Sequence, residues 1–430
     1  RFIERETRPG FLLATYIRVG VAFHHSDLPN SIKTEIENLI DQGIIKFVVS
    51  TTTLAEGLNF PIRCVILPQL RFWGGEPLSP TIVKNIKGRA GRAFKSTSGQ
   101  AILLPEGKEG RICYHDKWYS AYELYFKTPK ELLEIKSSIS KIMSEQNSLE
   151  YLISLDTLDS GILAFLVDGT VPVDDSQAKF MVDQTYIHKI ELENGVENFF
   201  AGRMEEMAIG ERPALESDSP FSVTEFGIAC NKTGYSPLSC RVLAEYISRI
   251  NQIKSGIFDT FDLSEENPPD NLKHIVVGVF LLPDLIFESI GLAKKAKDIF
   301  GNSKSKLKVD LGSAFDYFLD YEKCDMVANA IMEYDLPIIW DWLTGAEYIE
   351  ISDKYFRAKK LNKDEIVAQK QKDRALMDTF SYIAFLRNNF RWGFFALRNV
   401  AEHLSSKEGI DFDEKFLKRF AVCIDQGTSS

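Results

Sequence analysis

Long hydrophobic runs are missing from this chain of 430 residues: nothing approaches the ~18 consecutive apolar residues of a membrane-crossing helix, and the best candidate, IVVGVFLLPDLIF, is cut by Pro283 and Asp284. Cysteine is scarce, and its six positions (64, 113, 230, 240, 324 and 423) form no C-x-x-C pair. That usage argues against a disulfide framework or a structural zinc and fits a reduced, cytoplasmic setting. No basic-then-apolar leader opens the chain, and no initiator Met does, so the sequence reads as a fragment of something longer. A phosphate-cradling G-x-x-x-x-G-K-[ST] is also lacking, because Gly107-Lys108 has neither the upstream glycine nor the following hydroxyl. The string DEIV at 364–367 imitates a paired acidic motif but follows Leu-Asn-Lys rather than an apolar strand, and is read as a solvated helix.

Positive charge is in deficit overall, with a formal net charge of −10. This excludes coating of nucleic acid by bulk electrostatics, but not a local basic channel. Between Thr81 and Lys117 the cations Lys84, Lys87, Arg89, Arg92, Lys95, Lys108, Arg111 and Lys117 outnumber the anions Glu106, Glu109 and Asp116.

What is present falls into two halves. IRVGVAFHH (17–25) reads as a buried strand, and NSIKTEIENLIDQ (30–42) as a helix capped by Asn30 or Ser31, with Ile32, Ile36, Leu39 and Ile40 on one face. IIKFVVS, RCVILPQL and GQAILL are further strand patterns of parallel type. The alternation of strand and helix gives a doubly wound α/β domain, whose ligand loops lie beyond the carboxyl ends of the strands. TTTLAEG and GRAGR fall there. After Pro105 the pattern turns helical, with a size suited to a winged-helix module, a linker in GERPALESDSP, and an all-α remainder from Phe221.

The run NIKGRAGRA (85–93) places Arg89 and Arg92 three residues apart, on one side of a helix start, with Gly88 and Gly91 allowing close backbone approach. A guanidinium keeps its charge and pairs bidentately with phosphate oxygens, which suits it to the charge of a transferring γ-phosphoryl group. Taken alone, such a pair makes surface ion pairs. Thr51 and Thr53 offer hydroxyls to a nucleic-acid backbone, or alternatively cap a helical turn. His24 and His25 lack a partner at metal-ligand spacing, so no metal site is expected. In FLRNNFRWGFFALRNVAEHL (385–404), Arg387, Arg391 and Arg398 fall within an arc of about 40° at helical spacing, with Trp392 beside them for base stacking. Trp340 and Trp342 read as core.

Three stretches in this order, GVAFHHSDLP (20–29), VVSTTTLAEGLNFP (48–61) and NIKGRAGRA, resemble the second RecA-like domain of superfamily 2 helicases of the Ski-like group. VTEFGIACNKTGYSP (223–237) and IIWDWLTGAEYIEIS (338–352) resemble, more diffusely, the helical ratchet domain of that group. The resemblance implies an α/β RecA-like domain incomplete at its N-terminus (1–108), a winged-helix domain (109–218) and a helical ratchet-like bundle (219–430). It implies Arg89 and Arg92 as catalytic fingers, and Gly57, Asn59, Asn85 and Gly88 beside the nucleotide. Thr51, Thr53, His25 and Arg391 would lie along the strand. Asn85 stands where the family usually has Gln.

ATP would be the cofactor, with Mg2+ held mainly by a first RecA-like domain that carries the P-loop. The implied activity is 3′-to-5′ translocation or unwinding, and the fragment alone would be inactive. The residues between Pro105 and Pro220 leave no room for the arch insertion of RNA-exosome helicases. DNA is therefore favoured over RNA, in repair or in a two-component phage-defence system such as Hachiman, with a nuclease as a possible partner. The competing reading is a degenerate helicase-like scaffold that binds such a partner without hydrolysis.

Overall fold

The computed structural model describes residues 1–51, 62–72, 75–91, 98–104, 111–114, 116–128, 149–169, 177–184, 196–217, 220–253, 266–285, 289, 291, 327–356, 362–410 and 414–427. The chain divides into two compact units, 1–136 and 137–430.

In the first unit, α1 (Phe2–Glu6) and α2 (Leu12–Arg18) precede β1 (Val21–His24), α3 (Asn30–Asp41) and β2 (Phe47–Ser50). β1 and β2 pair in parallel, with Val21 opposite Phe47 and His24 opposite Ser50. A second parallel pair joins β3 (Cys64–Leu67) to β4 (Gln100–Leu103), and α4 (Pro80–Lys87) lies between them in sequence. Among the described residues these are two separate two-stranded parallel sheets, which fit the α/β alternation expected of the first half without joining into one doubly wound sheet.

Local details differ from the sequence reading. The strand expected over 17–25 begins only at Val21, because Ile17 lies four residues past Leu13 and extends the buried face of α2. Helical periodicity outweighs the β-branched character of the segment. α3 buries Ile32, Ile36 and Ile40 with Leu39 half-buried, as its pattern predicts. Its cap position, however, is Pro29, and neither Asn30 nor Ser31 caps it with a side chain.

A hairpin of β5 (Arg111–Tyr114) and β6 (Lys117–Ser120) leads into α5 (Ala121–Tyr125). Ser120 and Glu123 form a reciprocal capping box at the start of that helix. Ile112, Leu124 and Tyr125 complete one core with Leu67, Leu70, Leu78 and Val83. The Tyr125 hydroxyl donates to the Leu78 carbonyl at 2.9 Å, and burial pushes its pKa up to about 12. This bond ties α5 to the segment that feeds α4.

The second unit is helical among the described residues, as expected of the chain's second half. The stretch expected to be a linker carries two core residues among its described positions. Ala214 and Leu215 are fully buried, Leu215 bridges Val223, and a Cβ on Gly227 would meet the Ala214 carbonyl oxygen at 2.1 Å. The polar spelling of GERPALESDSP hides two core residues. Gln177 reaches across the same region, donating to the Phe221 carbonyl and accepting from its N–H, each at 2.7 Å. DEIV proves to be the exposed start of the helix Glu365–Phe385, with Asp364 accepting from the Val367 N–H as its cap. Trp340 and Trp342 are core, and the Trp342 indole donates to the Ile424 carbonyl at 2.9 Å.

Two buried carboxyls in this unit titrate far from their ordinary range. Burial, opposed by the Ser236 hydroxyl and reinforced by Asp284 and Asp159, pushes Asp156 up to about 8. Burial likewise pushes Asp335 up to about 7 against the Tyr382 hydroxyl, which donates to it at 2.9 Å. Both hold protons in the folded chain at pH values where the unfolded chain has lost them. Their linkage therefore makes stability fall as pH rises from about 4 towards 8. The melting temperature should drop between pH 6 and pH 8.5 and level off above, and Asp156→Asn should flatten the profile. An unchanged slope in that variant would contradict this assignment.

Candidate functional site

The first group of expected site residues sits at the carboxyl edge of β1 and β2. Because His24 is opposite Ser50 in a parallel pair, the chain leaves the sheet at His25 and at Thr51 side by side. His24 is buried with Nε2 3.4 Å from Glu37 Oε1 on α3, and burial lowers its pKa despite that carboxylate. The histidine therefore braces β1 against α3. His25 is half-buried and stacks on Phe23 with ring centroids 6.1 Å apart. Its Nδ1 accepts from the Asp27 N–H at 3.3 Å, and burial lowers its pKa, so it is neutral at physiological pH. Thr51 is exposed, and Ser50 donates to the Thr51 carbonyl at 2.6 Å. Thr53, Gly57 and Asn59 lie outside the described residues.

The arginine run is built from the other parallel pair. Ser79 caps α4 by accepting from the Ile82 N–H at 3.2 Å, and Pro80 stands in the first turn, where its missing N–H costs nothing. Val83 is fully buried and Ile86 packs on the same core, which fixes the helix on β3. Lys87 donates to the Tyr125 carbonyl and lies 4.2 Å over the Phe126 ring; burial lowers its pKa. Lys84, one turn earlier, is exposed.

α4 ends at Lys87, with Gly88 at the cap position. Arg89 is therefore just past a helix end, and not at a helix start as the spacing implied. The backbone N–H groups of Gly88, Arg89 and Ala90 close the last turn onto the carbonyls of Lys84, Ile86 and Lys87 at 2.9, 3.0 and 3.1 Å. Gly91 then crosses to the strand layer, donating to the Ile62 carbonyl at 3.0 Å. Asn85 and Gly88 are exposed and Arg89 is half-exposed. Arg92 lies outside the described residues.

The close backbone approach expected of Gly88 and Gly91 belongs to Gly91 and Gly99. Gly91 has φ +71°, and a Cβ there would stand 2.4 Å from the Gly99 nitrogen. A Cβ on Gly99 would stand 2.3 Å from the Ala90 carbonyl carbon. Gly88, in ordinary right-handed conformation, would meet only carbonyls of its own helix at 3.4 Å. Sequence reading missed Gly99 because its partner is eight residues away along the chain.

The basic stripe of the helical half is also reorganised. Leu386–Phe390 form a π-helical turn, which breaks the uniform spacing assumed for Arg387, Arg391 and Arg398. Arg391 donates to Asp425 at 3.1 Å, and Arg387 Nε lies 3.6 Å from the same carboxylate. Arg398 sits over the Phe395 ring at 5.4 Å. Arg391 is 46% exposed and Trp392 54%, with the guanidinium 5.8 Å from the indole centroid. Asp425 was invisible to a reading confined to the stripe itself.

Residues 3–94 match the family described as the helicase conserved C-terminal domain. Over 97 residues, 22% of this chain and 13% of the relative, the sequence is 39% identical to the ATP-dependent DNA helicase Hel308 of Aeropyrum pernix. It is 39% identical to DNA polymerase theta of Mus musculus over 21% of this chain and 4% of that one. Over 34% of this chain and 13% of the relative, it is 26% identical to the Hachiman protein HamB of Bacillus cereus. The matches thus span less than a fifth of each of these relatives. The first unit carries a helicase C-terminal domain of superfamily 2 type, as the three motifs implied.

Gly99→Ala should destabilise the first unit by at least about 2 kcal/mol, since the added methyl overlaps backbone that has no room to yield. Gly88→Ala should change stability by no more than about 0.5 kcal/mol. Urea denaturation of the two variants distinguishes them, and equal midpoints would contradict the packing described.

Proposed function

We propose that the chain is the second RecA-like lobe and strand-holding helical part of an ATP-dependent nucleic-acid helicase or translocase. The observation that carries this reading is the arginine turn within a matched helicase C-terminal domain: Arg89 stands half-exposed past the closed end of α4, held there by the Gly91–Gly99 contact. From Lys84 to Arg92 the sequence holds four cations and no carboxylate, a composition that fits a polyphosphate and not a metal ion. ATP, when bound with Mg2+, supplies the free energy of phosphoanhydride cleavage. Arg89 and Arg92 contribute fixed positive charge to the γ-phosphate, while Asn85, Gly88, Gly57 and Asn59 line the nucleotide's side of this lobe. With no P-loop in the chain, the phosphate cradle and most Mg2+ ligands come from a partner RecA-like lobe.

Thr51, Thr53 and His25 are the proposed backbone-tracking groups, and the adjacent exits of the chain from β1 at His25 and from β2 at Thr51 support the pairing of those two. In the helical unit Arg391 and Trp392 face the strand, with Asp425 setting the guanidinium's orientation. A winged helix is proposed for the span 109–218. Its hairpin and α5 pack within the first unit, so the assignment rests on the helices from Leu149 to Met207. Likeness to relatives named as DNA helicases supports DNA as the substrate, and likeness to a Hachiman protein supports phage defence beside repair. A nuclease partner and a cytoplasmic setting belong to the same reading.

The complete protein should unwind a duplex with a 3′ single-stranded tail and leave one with a 5′ tail intact. DNA should stimulate its ATP hydrolysis more than RNA. Hydrolysis indifferent to any nucleic acid would refute this reading and favour a scaffold.

A further inference from the structure

The β5–β6 hairpin and α5 carry a surface that the arginine turn and the strand loops leave unused. In the antiparallel register Arg111 faces Ser120 and Cys113 faces Trp118, so Arg111 and Trp118 share one face of the hairpin as diagonal neighbours. The opposite face sends Ile112 into the core. Trp118 is 63% exposed, Tyr122 on α5 is 58% exposed, and Phe126, the residue that caps α5, is 49% exposed. Tyr122 and Phe126 stack with centroids 5.7 Å apart and an interplanar angle of 22°. An ammonium lies over each ring: Lys127 over Tyr122 at 5.4 Å and Lys87 over Phe126 at 4.2 Å. Lys117 is exposed at the hairpin turn. Glu123, the one carboxylate in α5, is committed to the capping box, with its oxygen on the Ser120 N–H at 2.9 Å.

Exposed aromatics of this size normally mark a partner surface. A protein partner requires an apolar centre depleted of lysine, whereas here ammonium groups sit directly over the rings. Rings interleaved with fixed cations match a polymer of flat bases joined by phosphates. The cations also run against the chain's net charge of −10, so the patch is a local feature and not a sample of the average surface.

We propose that this face of β5, β6 and α5 docks single-stranded nucleic acid, with a base stacked on Trp118 and backbone phosphates held by Arg111 and Lys127. The inference rests on the nucleic-acid reading of the previous section and adds a second contact region to it. The strand must be unpaired, because the indole engages the face of a base and a duplex presents only base edges and phosphates.

The test measures fluorescence anisotropy of labelled oligothymidylate and oligouridylate with the 430-residue chain. Trp118→Ala should weaken binding about 5- to 100-fold, and Trp118→Phe should restore most of it. Arg111→Ala should lower the slope of log affinity against log salt by about one. Because Trp118 is exposed, Trp118→Ala should keep the wild-type melting temperature, which separates lost contact from lost fold. If Trp118→Ala binds like wild type while Thr51→Ala and Arg391→Ala weaken, this surface is not a docking site and the strand path stands. If only Trp118→Ala weakens, the surface stands and that path fails. Capture of polyglutamate with no affinity for either oligonucleotide would overturn the proposal in favour of an acidic protein.

Discussion

Two glycines in backbone contact hold the candidate site together. Gly91, in a left-handed conformation, lies against Gly99 so closely that neither position admits a methyl group. That contact fixes the chain as it leaves α4 and brings it to the entry of β4, with the Gly91 N–H on the Ile62 carbonyl before β3. The position of Arg89 follows. A long, flexible cation becomes a defined electrostatic element only when its backbone cannot wander, and here the constraint comes from sterics between main chains. The rest of the first unit supports the same turn: Ser79 and Pro80 start the helix, Val83 seats it, and Lys87 ties its last turn to α5.

The second unit uses a different currency. Its polar groups are shared between distant segments: buried Asp335 with Tyr382, half-buried Gln177 with Phe221, and Glu408, at the surface, with both Arg212 and Ser248 at 2.7 Å. Such links specify which helices pack together, because an unpaired partner would be costly to leave buried. Burial also leaves Asp335 and Asp156 protonated near neutrality, so this unit is expected to lose stability as pH rises from about 4 towards 8.

Much of this was legible in the sequence. The α3 face, the parallel strands, the exposed DEIV helix and the two core tryptophans follow from periodicity and local chemistry alone. The helicase motifs were legible because their spacing is set by backbone needs. What escaped depended on partners far along the chain. Gly99 gains its meaning from Gly91, Glu37 from His24, and Asp425 from Arg387 and Arg391. The packed stretch around Ala214 escaped for the opposite reason, since prolines and charges surround the two residues that are buried. The register of the arginine turn was misplaced by a few residues because glycines mark helix ends and helix starts alike.

The central claim is that Arg89 supplies a fork-shaped cation to a triphosphate cradled by another lobe. The most direct measurement is the single-turnover rate of ATP hydrolysis by the complete protein carrying Arg89→Lys, which keeps the charge and removes the fork. The account predicts a loss of about 10³-fold or more, with nucleic-acid affinity unchanged. Hydrolysis at the wild-type rate would contradict it.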